Sequence, residues 1–575
     1  MNLIIRYMKP YAARMAASMT FKFCGTITEL LIPYILEYMI DQVVPLGDVT
    51  RVLLWGALMI AVAFITRFLN VKANRNAVAV ASESIGVLRH DMFQKTLSLS
   101  GSQFDAFGLP TLTSRMTSDS YNVQDFMVDV QAIGIRAPIM LIGGIVVTMI
   151  MDPVLSGILC VLVPILAVVI FLVTRHGIPL YDRVQTSLDK VIRVMRENIT
   201  GIRVVKALSK EQYEINRFRE ANKKLTDDDI RASITMATPG PLMQLTLNIG
   251  LTLVVLVGAR RVNSGAIQPG VILAFLTYFN LILQSVMSLN RVFMMASKAI
   301  ASANRIDLIM QTKDDQPVLP VEGHEYPGDA QDAHIVFDHV SFSYHKTGEQ
   351  CLSDIDFSLK AGESLGIIGA TGSGKTSIVN LLMRFYDCDQ GGIYIHGRDV
   401  RTYEKDELRA MFGVVFQNDT IFNDTLFENI SFGRHLNEFQ VRRAAQAANI
   451  SDFIDGLEEA YQYKADIKGA NLSGGQKQRT LIARVLADHP QILILDDSSS
   501  ALDYKTDAAL RKAIRADYSS STTIMVAQRV SSIRNLDHIL VLENGRMIGY
   551  GTHEELLKNC PVYLDIYRSQ MGEIA

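Results

Sequence analysis

A glycine-rich segment in the second half of the chain has the residues of a phosphate-binding loop. Residues 369–376 read Gly-x4-Gly-Lys-Thr. They follow residues 364–368, which are predicted to form a short buried strand, and precede a stretch with helical character. Glycines let backbone N–H groups approach phosphate oxygens, and the start of the helix adds its dipole. Lys375 would reach the outer phosphates, and Thr376 would offer a hydroxyl to Mg²⁺. The predicted nucleotide-binding residues of this segment are Gly369, Ala370, Thr371, Gly372, Ser373, Gly374, Lys375, Thr376 and Ser377.

An acidic pair at the end of a second apolar run supplies a candidate metal ligand. Residues 492–495 are all apolar and lead directly into Asp496 and Asp497. A buried parallel strand beside a phosphate loop ends next to the nucleotide, so Asp496 is the natural Mg²⁺ partner. An ordinary turn at the end of the strand is the alternative interpretation, and the phosphate loop upstream favours the metal.

A second glycine-rich turn, residues 472–476, stands at the start of another predicted helix. Serine and glycine at such a junction offer a hydroxyl and free backbone N–H groups, which together can bind an anion. From these residues alone, a plain helix N-cap is the favoured interpretation.

The composition limits the classes of function. The 575 residues carry a net charge of −3, so no basic excess exists to neutralise nucleic-acid phosphates. The five cysteines are scattered without a Cys-x-x-Cys pair, which argues against a disulfide framework or a zinc site. The mean hydropathy of +0.18 is high for a soluble protein. We expect no cleavable signal peptide, because the first apolar region is too long for one.

Six apolar stretches in the first half are long enough to cross a bilayer, whose core needs about 20 helical residues. They are too continuous and too free of charge for amphipathic helices on the surface of a soluble protein. We place the six spans at about residues 14–43, 52–74, 128–151, 153–175, 240–260 and 269–297.

Short and long connections alternate between these spans. The long connections, near residues 75–127 and 176–239, carry many Lys and Arg residues, which stay on the cytoplasmic side of a membrane. We therefore expect the N-terminus, both long connections and the second half of the chain in the cytoplasm. Residues 71–99 contain no Pro and one Gly, so the second span should continue as a helix far beyond the bilayer.

Several polar side chains fall within the predicted spans, where ionisable groups are costly and usually face protein or water. One interpretation is a polar-lined substrate cavity, and the other is pairing between helices or snorkelling toward an interface. Lys22 and Glu29 are seven positions apart and share one helix face. The residues concerned are Lys22, Glu29, Glu37, Arg67, Arg136, Asn248, Asn280 and Gln284.

The chain changes character between residues 311 and 332, where polar residues, Pro and Gly indicate a linker. We therefore predict a six-helix transmembrane domain in residues 1–310, a linker in 311–332 and a nucleotide-binding domain in 333–575. The expected fold class is multidomain, with an α-helical polytopic membrane domain followed by an α/β domain that carries the phosphate loop.

The ordered motifs of the second half resemble those of the ATP-binding cassette (ABC) family. They are Walker A (369–376), the Q-loop (Gln417), the signature motif (Leu472, Ser473, Gly474, Gly475 and Gln476), Walker B (492–496) and the D-loop (500–503, ending at Asp503). Tyr344 stands where the family stacks an aromatic side chain on adenine. The resemblance implies that Thr376, Gln417 and Asp496 hold Mg²⁺.

With six spans before one cassette, the whole chain resembles a half-transporter of the ABC exporter type. Residues 104–124 and 198–218 resemble the loops that carry the family's two coupling helices. The resemblance implies ATP and Mg²⁺ as cofactors and ATP hydrolysis coupled to transport, active only in a dimer.

Two positions depart from the family's pattern at the hydrolytic end of the site. A Glu that polarises the attacking water is replaced by Asp497, and a His that contacts the γ-phosphate is replaced by Gln528. Asp is one methylene shorter, and a displacement of about 1 Å can cost about a hundredfold in rate. Gln forms hydrogen bonds but carries neither a proton for transfer nor a positive charge.

In the family, two cassettes close head to tail, with Walker A of one chain facing the signature motif of the other. The resemblance therefore implies that this chain's own site binds ATP but hydrolyses it slowly. Residues 472–476, which are intact, would complete a competent site on a partner chain that keeps the Glu and the His. The pattern resembles the degenerate-site subunit of heterodimeric multidrug exporters.

The expected function is export of amphipathic or hydrophobic compounds from the inner leaflet by a multi-pass protein of the cell membrane. The expected partners are a second, different ABC half-transporter, membrane lipid and a hydrophobic small molecule, without nucleic acid. Three alternatives stay open, namely a homodimer with two slow sites, a lipid flippase, and an ATP-binding regulatory or sensor subunit without transport of its own.

Overall fold

The structure of the protein is a computed structural model, which describes residues 2–326, 333–344, 348, 350–497 and 503–571. The chain divides into two compact units. The first consists of Met1–Ser98 and Leu109–Thr312, and the second of Leu99–Gly108 and Lys313–Ala575. The second unit thus takes in a short piece of the N-terminal half.

Long helices make up the first unit. In chain order the helices of the N-terminal half are α1 (Asn2–Met8), α2 (Ala12–Tyr38), α3 (Val49–Leu97), α4 (Gly101–Phe107), α5 (Leu109–Ser114), α6 (Ser120–Met151), α7 (Pro153–Thr200), α8 (Ile202–Ala207), α9 (Glu211–Ala237), α10 (Pro239–Asn263) and α11 (Pro269–Met310). All of them except α4 belong to the first unit.

Within the described residues, six helical segments are long and apolar enough to cross a membrane, which confirms the six predicted spans. They are Asn2–Leu46, Val49–Leu97, Leu109–Met151, Pro153–Thr200, Glu211–Asn263 and Pro269–Met310. The 49 residues of α3 form one helix. At 1.5 Å per residue that helix is about 70 Å long, more than twice the thickness of a bilayer core.

Aspartates start the helices that follow the first two short connections. Asp48 Oδ1 accepts a hydrogen bond from the backbone N–H of Thr50 at the start of α3. Asp152 Oδ1 accepts from the N–H of Leu155 over 2.8 Å at the start of α7, where Pro153 is the first helical residue. These caps satisfy N–H groups that lack a partner within the helix, so each chain reversal takes only a few residues.

Three of the ionisable residues predicted within the spans form polar contacts with a facing helix. Glu29 on α2 accepts two hydrogen bonds from Arg136 on α6, of 2.7 and 3.2 Å. Lys22, which is buried, donates to Asn74 Oδ1 on α3 over 3.1 Å. For these residues the structure favours pairing between helices over a polar-lined cavity. Lys22 and Glu29, although on one face of α2, bond to different neighbours.

The second unit is built on a sheet. Its strands within the described residues are β1 (Ala333–Phe342), β2 (Leu352–Lys360), β3 (Ser364–Gly369), β4 (Gln390–Ile395), β5 (Arg398–Asp399), β6 (Phe412–Val415), β7 (Ile492–Asp496), β8 (Thr522–Val526), β9 (His538–Glu543) and β10 (Arg546–Gly551). Their order across the sheet is β5-β4-β1-β2-β10-β9-β3-β8-β7-β6.

Helices pack against this sheet and complete the α/β architecture that the sequence predicts. They are α12 (Lys375–Leu382), α13 (Lys405–Ala410), α14 (Leu426–Ser431), α15 (Glu438–Ala447), α16 (Ser451–Asp455), α17 (Gly474–Leu486), α18 (Tyr504–Asp517), α19 (Val530–Ile533), α20 (His553–Asn559) and α21 (Pro561–Met571). Ile378, Leu381 and Leu382 of α12 join strand residues in one apolar core.

The parallel strands bring the chemistry-bearing motifs to one edge. β8 pairs in parallel with β3 on one side and with β7 on the other, and Asp496 lies opposite Val526. All five residues of β7 are buried, as expected for a central parallel strand. The carboxyl ends of β3, β7 and β8 therefore lie side by side, where open α/β sheets bind their ligands.

Short helices occur in or beside both predicted coupling regions. The first, α4, starts at Gly101, ahead of the predicted range 104–124, and packs within the second unit. The remainder of that range contains α5, the helical turn Arg115–Asp119 and the beginning of α6. The second, α8, lies inside the predicted range 198–218 and belongs to the first unit.

Candidate nucleotide-binding site

The phosphate loop joins β3 to α12 through backbone conformations that favour glycine. Gly372 and Gly374 have φ values of +84° and +97°, in the left-handed region. A Cβ on Gly374 would lie 2.5 Å from Cδ2 of Leu352, so sterics exclude a side chain there as well. The loop leads into the N-terminus of α12, where free N–H groups and the helix dipole favour an anion.

Lys375, the first residue of α12, folds over the loop. Its Nζ donates hydrogen bonds to the carbonyl oxygens of Gly369 over 2.9 Å and Ala370 over 2.8 Å. Burial lowers the pKa of this ammonium group, and the two carboxylates at the end of β7 oppose that shift. Among the described residues, the buried Oγ of Ser373 makes no hydrogen bond. A cation and an unpaired hydroxyl on one loop suit phosphate oxygens.

Two oxygen donors meet between β7 and α12. Thr376 Oγ1 donates a hydrogen bond to Asp496 Oδ2 over 3.0 Å. Burial raises the pKa of the Asp496 carboxyl group, while the bond from Thr376 lowers it. Mg²⁺ prefers hard oxygen ligands, and a hydroxyl beside a buried carboxylate offers them. These residues therefore fit the ion.

Two glutamine side chains converge on the carboxylate of Asp497. Gln528 Nε2 donates to Asp497 Oδ2 over 2.9 Å, and Gln417 Nε2 donates to the same oxygen over 3.3 Å. Asp497 has a φ of +51°, and its N–H donates to the carbonyl oxygen of Val526. We call this arrangement of Gln417, Asp497 and Gln528 the amide clamp.

The segment that carries Gln528 is held in turn by Gln570 of α21. Gln570 Nε2 donates to the Gln528 carbonyl oxygen over 2.7 Å, and its Oε1 accepts from the N–H of Val530 over 2.8 Å. Gln570 is not among the site residues that the sequence predicts. A lone polar residue near the end of a helix carries no local signal that it brackets a distant loop.

Tyr344, the predicted partner of adenine, packs beside α12. Its hydroxyl lies 3.0 Å from the Oγ of Ser377, and Asn380 Nδ2 donates to it over 3.3 Å. Its ring makes edge-to-face contacts with Phe342 and Tyr386, with centroids 4.9 and 5.1 Å apart. About 39% of Tyr344 is exposed, which leaves part of the side chain accessible to a base.

One pocket of about 300 Å³ collects most of the predicted site residues. Its lining consists of Tyr344, Cys351, Thr371, Gly372, Gly374, Lys375, Thr376, Ser377, Gln417, Asp496, Asp497, Val526, Ala527 and Gln528. Gly369 and Ala370 line an adjoining pocket instead. Sequence analysis did not anticipate Cys351, whose Sγ lies 3.2 Å from Ser377 Oγ, because a single cysteine ahead of a strand has no distinguishing pattern.

The signature residues do not line this pocket. Ser473 caps α17, with its Oγ accepting from the N–H of Gln476 and the Gln476 side chain accepting from the Ser473 N–H. The helix N-cap favoured by the residues alone is therefore present. Of the predicted D-loop, residues 500–502 lie outside the described residues, and Asp503 caps α18 through Thr506.

Comparisons with known proteins agree with this architecture. Residues 15–286 match the model of the ABC transporter transmembrane region, and residues 352–500 match the ABC transporter model. The uncharacterized ABC transporter ATP-binding protein YfiB of Bacillus subtilis is 34% identical over 100% of this chain and 99% of its own length. This chain belongs to the ABC transporter family.

A flippase and an exporter are also similar to this transporter over nearly the whole chain. The ATP-dependent lipid A-core flippase of Idiomarina loihiensis is 29% identical over 99% of this chain and 97% of its own length. A solved structure of a bacterial Atm1-family ABC exporter with ATP bound superposes with a TM-score of 0.81, at 25% identity, over 98% of this chain and 99% of that one.

The transporter is therefore an exporter-type half-transporter that couples ATP hydrolysis to transport. It is a multi-pass membrane protein with its nucleotide-binding domain on the cytoplasmic side. The predicted fold class is confirmed as well, with six apolar helices followed by an α/β cassette.

Proposed function

We propose that this transporter chain is the slowly hydrolysing half of an exporter whose other half is a different ABC half-transporter. Its own Walker site would hold ATP and Mg²⁺, and its signature residues, 472–476, would complete the partner's competent site. The substrate would be an amphipathic or hydrophobic compound, as in multidrug export. The domain limits 1–310, 311–332 and 333–575 belong to the same proposal.

The amide clamp is the observation that carries this proposal. Asp497 Oδ2 already accepts two hydrogen bonds, so it is a weaker acceptor for the proton of an attacking water. Both donors are neutral amides, which neither accept nor supply a proton as a histidine does. The shorter Asp side chain also holds its carboxylate farther from the γ-phosphate than Glu would.

The other residues of the pocket have the roles of a binding site. Lys375 and the loop N–H groups would orient the phosphates, and Tyr344 would lie against the base. Thr376 and Asp496 would hold the Mg²⁺ ion. Gln417 would be a third ligand through its Oε1, because its Nε2 is bonded to Asp497 in the amide clamp. Bound ATP supplies the phosphoryl group, and Mg²⁺ neutralises its charge.

An apolar surface on α8 supports the need for a second chain. α8 has no buried residue among those described. Ile202 and Val204 of this helix are 46% and 61% exposed, and Leu208, directly after it, is 63% exposed. Contiguous exposed apolar residues outside the spans are typical of contact surfaces. A second half-transporter would cover this one, in keeping with the dimers that ABC exporters form.

The clamp is tested by restoring the family's residues. Asp497→Glu with Gln528→His should raise ATP turnover of this chain purified without a partner, where no competent second site contributes, about tenfold or more, since about 1 Å of misplacement costs up to about a hundredfold. ATPase activity at saturating ATP and Mg²⁺ is the measurement. Each single variant should give a smaller gain, because each repairs one end of the clamp.

Asp488→Glu is the matched control, because it adds the same methylene to a carboxylate side chain outside the nucleotide pocket. Asp488 is an exposed carboxylate, 3.6 Å from Arg434, and does not line the nucleotide pocket. Asp488→Glu should leave turnover unchanged. If the double variant gained no more than Asp488→Glu, the clamp would not be what slows this site.

A lipid flippase is the second candidate, favoured by the relatives whose names specify lipid A-core flipping. An amphipathic drug and a lipid both present an apolar body and a polar head to the inner leaflet, so the two candidates share their chemistry. They differ in whether the transported molecule leaves the membrane or only changes leaflet.

A further inference from the structure

The cassette contains another cavity, of about 780 Å³, beside the amino ends of its central parallel strands. Its lining includes Ser364, the first residue of β3, and Ser521 and Thr523 at the start of β8. The nucleotide pocket lies at the carboxyl ends of these strands, where Val526 ends β8. Among the described residues, the two sites have no lining residue in common. We call this site the second cavity.

Helix α18 and the segment after α19 form opposite walls of the second cavity. Lys512 and Arg515 are three positions apart on α18 and therefore lie on the same face of that helix. Arg534 and Asn535 follow α19 directly. Arg515 Nη2 donates a hydrogen bond to the carbonyl oxygen of Asn535, which joins the two walls. Arg534 is thus held beside the two cations of α18.

A fourth cation of the lining, Arg511, is already bonded within the fold. Its Nη2 lies 2.9 Å from Asp507 Oδ2, and its Nη1 donates to the carbonyl oxygen of Ser531 over 2.8 Å. These bonds tie α18 to the beginning of α19. Arg511 therefore builds the wall of the second cavity and leaves the binding of a ligand to its neighbours.

The other three cations lack a counter-charge. Asp537 is the one acidic residue of the lining among those described, and its Oδ2 accepts from the hydroxyl and the N–H of Ser364 over 2.6 and 2.9 Å. No carboxylate of the described residues forms an ion pair with Lys512, Arg515 or Arg534, all of which are exposed. Like charges held together repel each other, so an anion between them would be stabilised.

Apolar side chains form the floor of the second cavity. Ile514, Tyr518 and Met525 are buried and line it. The Tyr518 hydroxyl already donates to the carbonyl oxygen of Leu486 over 2.9 Å, so the ring is the part left for contact. The floor thus presents apolar surface, and the rim presents three cations.

This combination matches the chemistry of a small organic phosphate. A phosphate monoester carries a charge of about −1.5 to −2 at pH 7 and has three acceptor oxygens. Guanidinium groups bind phosphate through two parallel hydrogen bonds, and an ammonium adds a point charge. The apolar floor would receive the organic part of such a molecule. A volume of about 780 Å³ lies within the usual range for small-molecule sites.

We propose that the second cavity binds a phosphate monoester with an apolar or aromatic body, held by Lys512, Arg515 and Arg534. This ligand is separate from the nucleotide, because the cavity lies at the other ends of β3 and β8. The proposal goes beyond the proposed function and does not depend on slow hydrolysis or on the identity of the partner.

Equilibrium dialysis of the full-length transporter against radiolabelled phenyl phosphate tests the site. A non-hydrolysable ATP analogue is present throughout to fill the nucleotide pocket, so probe that still binds lies elsewhere. The parent should bind one probe molecule per chain. Lys512→Gln with Arg534→Gln should weaken the affinity about tenfold or more, because hydrogen bonds between charged groups are the strong ones. Both side chains are exposed, so these substitutions should leave the fold intact.

Arg546→Gln with Lys558→Gln is the matched control. It removes two exposed cations of the cassette that line neither the second cavity nor the nucleotide pocket, and it should bind the probe like the parent. Affinity for the ATP analogue, measured in the same samples, should be equal in all three proteins. Unlabelled inorganic phosphate should displace the probe only at higher concentration than unlabelled phenyl phosphate, since it does not contact the floor.

Three results would overturn the proposal. The first is a parent that binds no probe while the ATP analogue is bound. The second is equal probe affinity in the Lys512→Gln, Arg534→Gln protein and in the control. The third is equal displacement by the two unlabelled phosphates, which would show that the organic part is not recognised. Failure of the parent to bind the ATP analogue would instead count against the proposed nucleotide site.

Discussion

The exchange of Glu for Asp497 and of His for Gln528 alters which atoms can move a proton at this site. In the structure Gln528 and Gln417 both place an amide nitrogen on one oxygen of Asp497. Neutral amides hold the carboxylate in place without offering a route for its proton. The binding residues Lys375 and Thr376 are unaffected by this change, so retention of ATP and slow turnover are compatible in one pocket.

His334, a titratable residue in the core of the cassette, should make the stability of the transporter depend on pH. His334 is 5% exposed, and its Nδ1 lies 2.6 Å from the Oγ1 of Thr522. The His396 ring is tilted by 35° to the His334 ring, with the two centroids 4.4 Å apart. Burial, with a smaller contribution from His396, lowers the pKa of His334 to about 4. In the unfolded chain a histidine titrates near about 6.5.

The sign of the effect follows from proton linkage. Between about pH 6.5 and about pH 4, His334 is protonated in the unfolded chain but neutral in the folded one. The free energy of unfolding therefore falls as the pH falls through this window. The loss should be about 2 kcal/mol at about pH 5. Calorimetric unfolding of the full-length transporter measures it, with His334→Gln as the comparison because that side chain does not titrate. Parallel pH dependence of the two proteins would contradict the assignment.

At the scale of elements, α17 presents its N-terminus with a hydroxyl cap, and β3, β7 and β8 present their carboxyl ends at one edge of the sheet. The strand ends hold the residues of this chain's own pocket. The cap of α17 contributes nothing to that pocket. In the proposed head-to-tail pair of cassettes, these strand ends and the N-terminus of α17 would serve two different nucleotide sites.

Ser473→Ala tests the separate role of α17. Loss of the cap costs about 1 kcal/mol locally. If residues 472–476 act on the partner's site, turnover of the assembled exporter should fall well beyond what that cost explains, while ATP affinity at this chain's own site stays unchanged. Turnover and equilibrium nucleotide binding are the two measurements.

Thr552→Ala is the matched control for Ser473→Ala. Thr552 caps α20 through the same reciprocal arrangement, with Glu555 in place of Gln476, and lies outside the nucleotide pocket. It should cost similar local stability and leave turnover intact. An equal loss of this chain's own ATP affinity in Ser473→Ala would argue against the action on a partner.

At the scale of the whole molecule, the six spans and one cassette make half of an exporter. Glu29 forms an ion pair with Arg136, and Lys22 donates a hydrogen bond to the neutral amide of Asn74, both within one chain. The spans are therefore held together by polar contacts between helices as well as by packing. Which compound passes between two such halves depends on surfaces that both chains supply.

The chain composition of the purified transporter tests whether its two halves differ. The transporter purified from its own membrane should contain one 63.9 kDa chain of this sequence for each chain of a different half-transporter, measured by mass spectrometry of the intact and the denatured complex. A complex of two identical chains would contradict the heterodimer.

Vesicles that contain the complex separate the two candidate substrates. The proposed exporter should concentrate an amphipathic dye in the lumen when ATP is outside. A flippase should move a labelled lipid between leaflets without moving the dye. Movement of neither would contradict both candidates.

Local patterns predicted much of this molecule. The phosphate loop, the buried strand before Asp496 and the six spans are each encoded in one continuous segment, because glycine placement and apolar length act over a few neighbouring residues. The replacements at Asp497 and Gln528 are visible in the sequence for the same reason. These features are sufficient for the fold class and the placement in the membrane, and they supply the candidate residues of the ATP site.

The tertiary structure decided which separate segments meet. Gln417 and Gln528 reach one oxygen of Asp497 only because the loops that carry them pack at the same edge of the sheet. Tyr386 reaches Asp105 across 281 positions, and Gln570 holds the Gln528 segment from the last helix. The periodicity of apolar residues along a segment indicates which of its faces is buried. It does not identify the side chain that will pack against that face. The amide clamp and the contact between Tyr386 and Asp105 therefore follow from packing.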